Sequence, residues 1–405
     1  MNTRQVTPPP NVPSGRIRHY DIYERLRGDG DFQGWFAGLQ DSGYPDFFWT
    51  PANGGHWVVN SGEILNDVLT DPDLFSSRVA IVPVERQMET PPFPISLDPP
   101  EHTRYRAVLS GAFSPRVVTP LGEQAGELTH DLIDGFYERG GCEFMGEVSY
   151  ILPISIFMRM VGIPDAHREK LLVLVDELIR PAEVDESEAA ARGLTDYARE
   201  TVRQRRASPG DDLLSRLCQA EVDGELLSED QLTGMTVLLL LGGLDTVAAV
   251  LGFTMNYLAR HPEKRRQLVD HPDTIPKAVE ELLRRFPVST LGRIVTRDAE
   301  FHGVQLKKDD MVITPTMSHG MDKREFDSPT EVDFSRKVVF HGAFGNGPHR
   351  CLGSMLARVE LRTFLQAWLS RIPEFRVKAG AELTVDTGMV VALHDLPLEW
   401  DVARQ

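Results

Sequence analysis

Cysteine is scarce in this chain of 405 residues, which contains only Cys142, Cys218 and Cys351. The three form no CxxC motif and no Cys/His spacing of a zinc site, and they are too scattered for a disulfide framework. The most apolar run, Met235–Leu241, is far shorter than the roughly 20 residues of a membrane span. Residues 1–18 hold no apolar signal-peptide core. We therefore expect a protein of the reducing cytoplasm without a membrane anchor.

Basic residues are also in deficit. The sequence has 43 Lys and Arg against 60 Asp and Glu, a net charge of -17, which argues against non-specific nucleic-acid binding. We find no internal repeats, no βαβ alternation, and no flavin or nicotinamide fingerprint. Helical periodicity dominates, so the sequence predicts a mainly α protein with small β-sheets. We expect a flexible proline-rich arm over residues 1–15 and a single domain over residues 16–405.

Several elements of this domain can be placed from the sequence. A capping serine, Ser228, opens a long apolar helix that should run to about Arg260 through the core. The region 165–207 resembles a pair of surface helices with a mobile connection. Residues 301–314 predict a hairpin that turns at Lys307–Asp310.

The stretch Phe344–Gly353 carries the strongest chemical signal. It places three glycines, a proline and an aromatic residue around Cys351, directly before an amphipathic run over residues 354–372. A cysteine just before a helix has its thiolate favoured by the free N–H groups there. Such a thiolate on a tight loop suits a metal in a planar macrocycle. The alternative is a buried free cysteine beside a turn.

A second signal lies inside the long helix. Gly242 and Gly243 each cost about 1 kcal/mol relative to alanine in a helix. Asp245, next to Thr246, adds a desolvation cost unless it is paired. Local rules broken together in a core helix mark a candidate functional site. The alternative is a helix kink with a satisfied aspartate.

These signals occur in a fixed order with two others. His102 and Arg106 lie four residues apart on one helix face, and Glu281 and Arg284 form an E-x-x-R pattern on another helix. The combination resembles the cytochrome P450 family of haem-thiolate monooxygenases, in particular its soluble bacterial camphor-oxidising members. The matching motifs are Phe344-x-x-Gly347-x-His349-x-Cys351-x-Gly353, Leu244-Asp245-Thr246 and Glu281-x-x-Arg284.

The resemblance implies the P450 fold, with the long central helix crossing over haem b, and it assigns roles to residues. Cys351 would be the axial iron ligand, with Gly353 near its sulfur. Thr246 and Asp245 would serve oxygen activation and proton delivery, with Gly242 and Gly243 making room, and Arg180 would pair with Asp245. Glu281 and Arg284 would hold the scaffold. The remaining haem contacts implied are His102, Arg106, Arg293, His349 and Phe344.

The resemblance also implies a substrate pocket. Thr90 falls where camphor-oxidising members carry the tyrosine that binds the substrate ketone, so another compact apolar molecule, a monoterpenoid or norisoprenoid, is expected. Hydroxylation would occur by insertion of one oxygen atom of O2 into a C–H bond. The pocket residues implied are Ile81, Thr90, Pro92, Ile95, Leu238, Leu241, Ser289, Met389 and Val390.

Electrons would come from separate proteins, a [2Fe–2S] ferredoxin and an NAD(P)H-dependent reductase serving a monomeric enzyme. A basic patch on the cysteine side would bind the ferredoxin, and Asn66 replaces an arginine of the camphor-oxidising members there. Two alternatives are a peroxide-driven haem enzyme, against which Asp245-Thr246 argues, and a haem-binding sensor or carrier. The predicted patch comprises Arg104, Arg106, Lys337, Arg350 and Arg358.

Overall fold

Helices form most of the molecule. The computed structural model describes residues 5–84, 88–181, 184–337 and 340–402, with the backbone alone at 184 and 185. Fourteen α-helices within these ranges confirm the predicted mainly α class. They are α1 (Phe32–Asp41), α2 (Gly62–Thr70), α3 (Glu101–Ser110), α4 (Pro115–Phe136), α5 (Leu152–Val161), α6 (Arg168–Ile179), α7 (Val184–Ala207), α8 (Leu213–Leu217), α9 (Glu229–Gly243), α10 (Thr246–Arg260), α11 (Pro262–Asp270), α12 (Ile275–Arg285), α13 (Met317–Gly320) and α14 (Ser354–Arg371).

The strands are short and form small sheets. The largest sheet has five strands in the order β2-β3-β11-β8-β4, in which β3 and β11 are parallel and the other pairs antiparallel. The strands are β1 (Leu26–Gly28), β2 (Phe47–Thr50), β3 (His56–Val59), β4 (Phe75–Ser76), β5 (Gly141–Glu143), β6 (Glu221–Val222), β7 (Glu225–Leu226), β8 (Thr290–Val295), β9 (Ala299–Phe301), β10 (Val304–Leu306), β11 (Met311–Pro315), β12 (Arg376–Val377), β13 (Leu383–Asp386), β14 (Ala392–Leu393) and β15 (Pro397–Glu399).

The predicted turn of one hairpin is wrong. The hairpin pairs β9 with β10, and it turns at His302–Gly303. Both turn residues have positive φ, 45° and 75°, the conformation that matches the twist of a two-residue hairpin. The segment Lys307–Asp310 instead connects β10 to β11, which pairs with β8 and β3.

The long central helix is present but interrupted. A capping box opens α9 as predicted, since Ser228 Oγ accepts from Gln231 N and Gln231 Oε1 accepts from Ser228 N. The helix stops at Gly243 and resumes as α10 at Thr246. Taken together, the 32 residues Glu229–Arg260 are long and apolar enough to cross a membrane, but 67% of their most apolar stretch is buried inside the protein. This is the packing of a core helix.

Three predicted segments touch the limits of the described residues. Residues 1–4 of the arm, 182–183 between α6 and α7, and 403–405 of the domain lie outside them. Residues 5–15 lie against the body. Val6 N donates to Pro51 O at 3.0 Å, Asn11 Nδ2 donates to Gln305 O at 2.8 Å, and Val12 packs with the sheet cluster.

Candidate active site

A cavity of about 300 Å³ lies between the break in the long helix and the cysteine loop, Gly342–Gly353. Its wall is mostly apolar, as small-molecule sites usually are. Residues that were predicted from separate parts of the sequence meet here. Those in the wall are Ile95, His102, Arg106, Leu238, Gly242, Thr246, Ser289, Phe344, His349, Cys351 and Gly353.

The other predicted substrate residues, Ile81, Thr90, Pro92, Leu241, Met389 and Val390, are not part of the wall. Two of them adjoin it through the backbone, because Thr290 N donates to Met389 O at 2.8 Å and Val390 bridges to Ser289. The loop that carries Ile95 is fastened to α9. The ring centroids of Phe93 and Tyr105 lie 4.7 Å apart, and Phe93 N donates to Gly234 O at 3.0 Å.

The cysteine loop is folded tightly against α2. Cys351 N donates to Phe344 O at 2.9 Å, which closes the loop. Gly347 has a φ of 66°, and a Cβ there would overlap the carbonyl oxygen of Leu69. Only glycine fits this close approach in that conformation. The glycine density of the sequence therefore has a concrete cause at this position.

The Cys351 thiol opens into the cavity and not onto the outside of the protein. Burial raises its pKa, while N–H groups of Gly353 and Ser354 and the cations Arg106 and Arg358 act in the opposite direction. These donors stabilise a thiolate once it forms, as expected for a cysteine that directly precedes a helix. A metal ion would complete that deprotonation.

A cluster of nitrogen-bearing side chains lies beside the same cavity, with His102, Arg106 and His349 in its wall. It consists of His102, Arg106, Arg293 and His349, with the two imidazole rings 4.0 Å apart. Neither ring nitrogen of His349 has a hydrogen-bond partner among the described residues. Burial and the neighbouring Arg293, His102 and Arg106 lower the pKa of His349 to about 2. Burial also lowers the pKa of Arg293, to about 10.

Such a cluster fits an anionic ligand. Buried polar groups are normally paired, so unpaired donors beside a cavity point to a missing acceptor. The two propionates of haem b would supply it, and arginine is suited to bind carboxylates through its forked donors. The apolar wall and the thiol match the remainder of the haem.

Asp245 lies at the helix break, next to Thr246, and is not itself part of the cavity wall. Arg180 donates to both of its carboxylate oxygens, at 2.8 and 2.5 Å, and the two side chains are 3% and 4% exposed. This pairing of Arg180 is the one predicted. Thr246 Oγ1 donates to Gly242 O at 3.2 Å, across the break. The kink and the satisfied aspartate, offered as an alternative to a functional site, are thus both present.

The two glycines before the break serve different purposes. A Cβ on Gly243 would lie 2.5 Å from the Phe157 ring, so packing requires glycine there. A Cβ on Gly242 would meet nothing within 4 Å, and Gly242 is exposed to the cavity. Both glycines line the cavity, but only Gly242 has free space where a Cβ would stand.

The predicted scaffold pair is completely buried. Arg284 and Glu281 make two hydrogen bonds of 2.8 Å, and Arg284 also donates to the carbonyls of Gly320, Pro329 and Glu331. Glu281 accepts from Asp333 N at 2.9 Å. Because each charge is paired and hydrogen-bonded, the network can tolerate burial. It pins the segment after α13 to α12.

The predicted basic patch is partly neutralised, since two of its five cations form ion pairs. Arg104 pairs with Asp223 at 2.7 Å, and Arg358 pairs with Glu280 at 2.6 Å. Arg106 lines the cavity. Lys337 and Arg350 remain exposed without an ion pair among the described residues. Charge counting along the sequence missed these partners because they are distant in the chain.

Glu360 was not singled out from the sequence, and nothing in the sequence marks it. It lies on α14 in the cavity wall, is 1% exposed, and its Oε1 has no hydrogen-bond partner in the described part of the chain. Burial raises its pKa well above the ordinary value of 4.5. The folded protein therefore retains a proton here to a higher pH than the unfolded chain does.

The raised pKa of Glu360 predicts a loss of stability with rising pH. Between pH 4.5 and the higher pKa of the folded state, the folded protein binds more protons, so its unfolding free energy falls as pH rises. One pKa unit is worth about 1.4 kcal/mol, and we expect Glu360→Gln to remove at least that much of the fall by pH 8. Denaturant unfolding of the holoprotein at pH 5 and 8 measures it. Exposed Glu382→Gln is the control, and equal falls in both variants would contradict the assignment.

Comparison with known proteins agrees with this site. A family model described as Cytochrome P450 matches residues 181–402. A relative named probable cytochrome P450 127A1, from Sinorhizobium fredii, is 34% identical over 401 residues, covering 97% of this chain and 96% of its own. The steroid C26-monooxygenase of Mycolicibacterium smegmatis is 34% identical over 323 residues, covering 78% and 80%. The crystal structure of CYP101J2 aligns with a TM-score of 0.89 and 36% identity, covering 98% of this chain and 100% of that one.

These likenesses extend over nearly the whole chain and include both its sequence and its fold. The family model alone matches more than half of the residues, including the break in the long helix and the cysteine loop. Enzymes of this family bind haem b, and the bacterial ones generally act on a substrate together with O2 and receive electrons from redox partners. This chain belongs to the cytochrome P450 family, and it is a haem b monooxygenase.

Proposed function

We propose that this P450 inserts one oxygen atom of O2 into a C–H bond of a compact apolar substrate, a monoterpenoid or norisoprenoid, and that the Cys351 thiolate would hold the haem iron. The observation that carries the proposal is the mostly apolar cavity whose wall contains both the Cys351 thiol and Thr246 at the helix break, next to Asp245. Haem b supplies the iron centre at which O2 is reduced and split.

The residues of the chain divide the remaining tasks. The N–H groups of Gly353 and Ser354 hold the sulfur of Cys351 and moderate its charge. The unpartnered ring nitrogens of His102 and His349, together with the guanidinium groups of Arg106 and Arg293, would hold the propionates.

Proton delivery is assigned to the residues at the helix break. Thr246 lines the cavity, and its hydroxyl can exchange its bond to Gly242 O for one to a cavity ligand. Asp245 lies one residue away and is held by Arg180, so release from the guanidinium frees a carboxylate to carry protons from the Arg180 side.

The substrate class rests on the scarcity of polar groups among the predicted pocket residues that line the cavity. Of the predicted pocket residues in the wall, Ile95 and Leu238 are aliphatic and Ser289 has only a hydroxyl. A polar substrate would leave its groups unpaired, whereas apolar area is favourable to bury. One relative is named for steroid oxidation, so size has to be tested directly.

A spin-state titration tests the substrate class. We expect monoterpenoids and ionones to shift the ferric Soret band and a steroid to leave it unchanged, because the cavity has a small volume and a mostly apolar wall. The shift is read optically against concentration. Binding of the steroid alone would overturn the substrate class and leave the monooxygenase chemistry intact.

We also propose a [2Fe–2S] ferredoxin, served by an NAD(P)H-dependent reductase, as the electron donor. The chain shows no flavin or nicotinamide motif of its own, and Arg350 is an exposed cation beside Cys351. An acidic ferredoxin would be attracted to this side by charge, with an effect on its on-rate that declines at high salt.

Replacing Cys351 by serine tests the ligand assignment. A thiolate ligand gives the reduced carbon monoxide complex a strongly red-shifted Soret band, and we expect Cys351→Ser to lose that band and all turnover. The matched controls are Cys142→Ser and Cys218→Ser, which should keep it, because neither cysteine lines the cavity. A red-shifted band that survives in Cys351→Ser would refute the proposal.

A further inference from the structure

One ionic contact spans the two flanks of the cysteine loop. Arg358, on α14, donates from Nε and Nη2 to the two carboxylate oxygens of Glu280, on α12, at 2.6 and 2.9 Å. Such a bidentate pair fixes orientation as well as distance. The guanidinium carbon also lies 4.6 Å from the centroid of the Phe344 ring, and Nη1 donates to Ser354 O at 3.1 Å. Arg358 therefore contacts residues on both sides of Cys351.

The same carboxylate reaches the start of the loop. His341 Nε2 lies 3.3 Å from Glu280 Oε2, and His341 Nδ1 accepts from Ala343 N at 3.4 Å. Burial raises the pKa of Glu280, but hydrogen bonds from His341 and Arg358 outweigh it and hold the value at about 2. Glu280 is thus a carboxylate that anchors the loop before Phe344 and, through Arg358, after Cys351.

Arg358 also acts on the sulfur electrically. With Arg106, it is one of the two cations whose charge favours the thiolate of Cys351. Both Arg358 and Glu280 are about 30% exposed, so solvent only partly screens them. The negative charge of Glu280 partly cancels the positive charge of Arg358, so the electrostatic potential at the Cys351 sulfur depends on the difference between the two.

We propose that Glu280 and Arg358 are positioning residues that clamp the cysteine loop from both flanks and set the net charge near the Cys351 sulfur, and thereby the haem reduction potential. The sequence alone suggests that Arg358 is a docking cation for the ferredoxin; its contacts place it in this clamp instead. The proposal rests on the proposed role of Cys351 as axial ligand.

Two matched variants separate an effect of charge on the haem reduction potential from an effect of a loosened loop, because only the charge effect shifts the potential in opposite directions. Glu280→Gln keeps the size of the side chain and leaves the cation of Arg358 uncompensated, which disfavours the more positive ferric form and raises the potential. Arg358→Gln leaves the carboxylate of Glu280 uncompensated and therefore lowers the reduction potential. A loop that merely loosened would shift both variants in the same direction. The double variant should return near the wild-type value.

Spectroelectrochemical titration of the holoprotein measures these shifts, with the ferrous carbon monoxide spectrum recorded on each variant. Arg358→Lys keeps the charge but loses the bidentate contact, so its potential should stay near wild type while it loses the red-shifted band more readily. Potentials that do not move, or that move in the same direction for Glu280→Gln and Arg358→Gln, overturn the proposal. If neither Glu280→Gln nor Arg358→Gln binds haem, the result for Arg358→Lys tests the proposal. A wild-type reduction potential together with a red-shifted band as stable as in the wild-type protein would then refute the clamp.

A second readout separates clamping from docking. The KM for a [2Fe–2S] ferredoxin should rise several-fold in Arg350→Gln and stay near wild type in Arg358→Gln, because Arg350 is exposed without an ion pair among the described residues, whereas Arg358 is paired with Glu280. An equal rise of the ferredoxin KM in both variants would show that Arg358 takes part in binding the ferredoxin. Absence of the red-shifted band in the wild-type protein would instead refute the proposed ligand, so the two failures are distinguishable.

Discussion

Asp245→Asn is expected to slow product formation about 100-fold, within the range that a positioned acid–base group contributes. The amide can still accept a hydrogen bond from Arg180, so the fold of the helix break should survive. It cannot carry a proton to the Thr246 side of the cavity. Proton delivery would then limit the rate, and the solvent deuterium isotope effect on turnover should increase.

The chain supplies a matched control for this variant. Asp176 also binds Arg180, at 2.9 Å, but its side chain is 60% exposed on α6. Asp176→Asn removes a charge from the same guanidinium without touching the cavity wall, so turnover should change little. Unaltered turnover and isotope effect in Asp245→Asn would exclude it as the proton carrier. Equal losses in both variants would indicate that only the charge balance of Arg180 matters.

Arg284→Met is expected to lower the unfolding free energy by about 3–5 kcal/mol, the usual result of removing one partner of a buried ion pair. Glu281 would remain buried with one fewer cation, and the carbonyls of Gly320 and Pro329 would lose their donor. The mutant should accumulate as aggregated apoprotein. Denaturant unfolding and haem content per chain measure both effects.

An exposed ion pair provides the comparison for Arg284. Arg376 pairs with Glu399 at 2.8 Å on β12, where solvent screens the charges. Arg376→Met should leave the denaturation midpoint and the haem content nearly unchanged. If Arg284→Met behaves like Arg376→Met, then the buried network does not hold the scaffold.

The sequence predicted the parts of the site that depend on local chemistry. The glycine density around Cys351 indicated a tight loop, and Gly347, with a positive φ and in close contact with Leu69, shows that conformation. The two glycines and the aspartate in an apolar helix indicated a departure from helix rules, and the helix does break after Gly243.

Other features depend on contacts between distant segments, and single-sequence reasoning could not supply them. Glu280 and Arg358 are 78 positions apart, so the basic residue was read as a surface cation. Glu360 carries no local signal, because its burial follows from how α14 packs in the core. The hairpin error had a local cause: Lys307–Asp310 reads as a polar turn, while the positive φ of His302 cannot be read from its residue type.

The break between α9 and α10 also changes the electrostatics of the helix. A continuous helix from Glu229 to Arg260 would have one positive end, at Ser228 on the surface. Two helices have two, and the second begins at Thr246, beside the cavity. The peptide dipoles of α10 are equivalent to about half a positive charge there, and burial protects that charge from screening. The interruption thus provides a fixed positive field for negative charge near Thr246, without another cation in the wall.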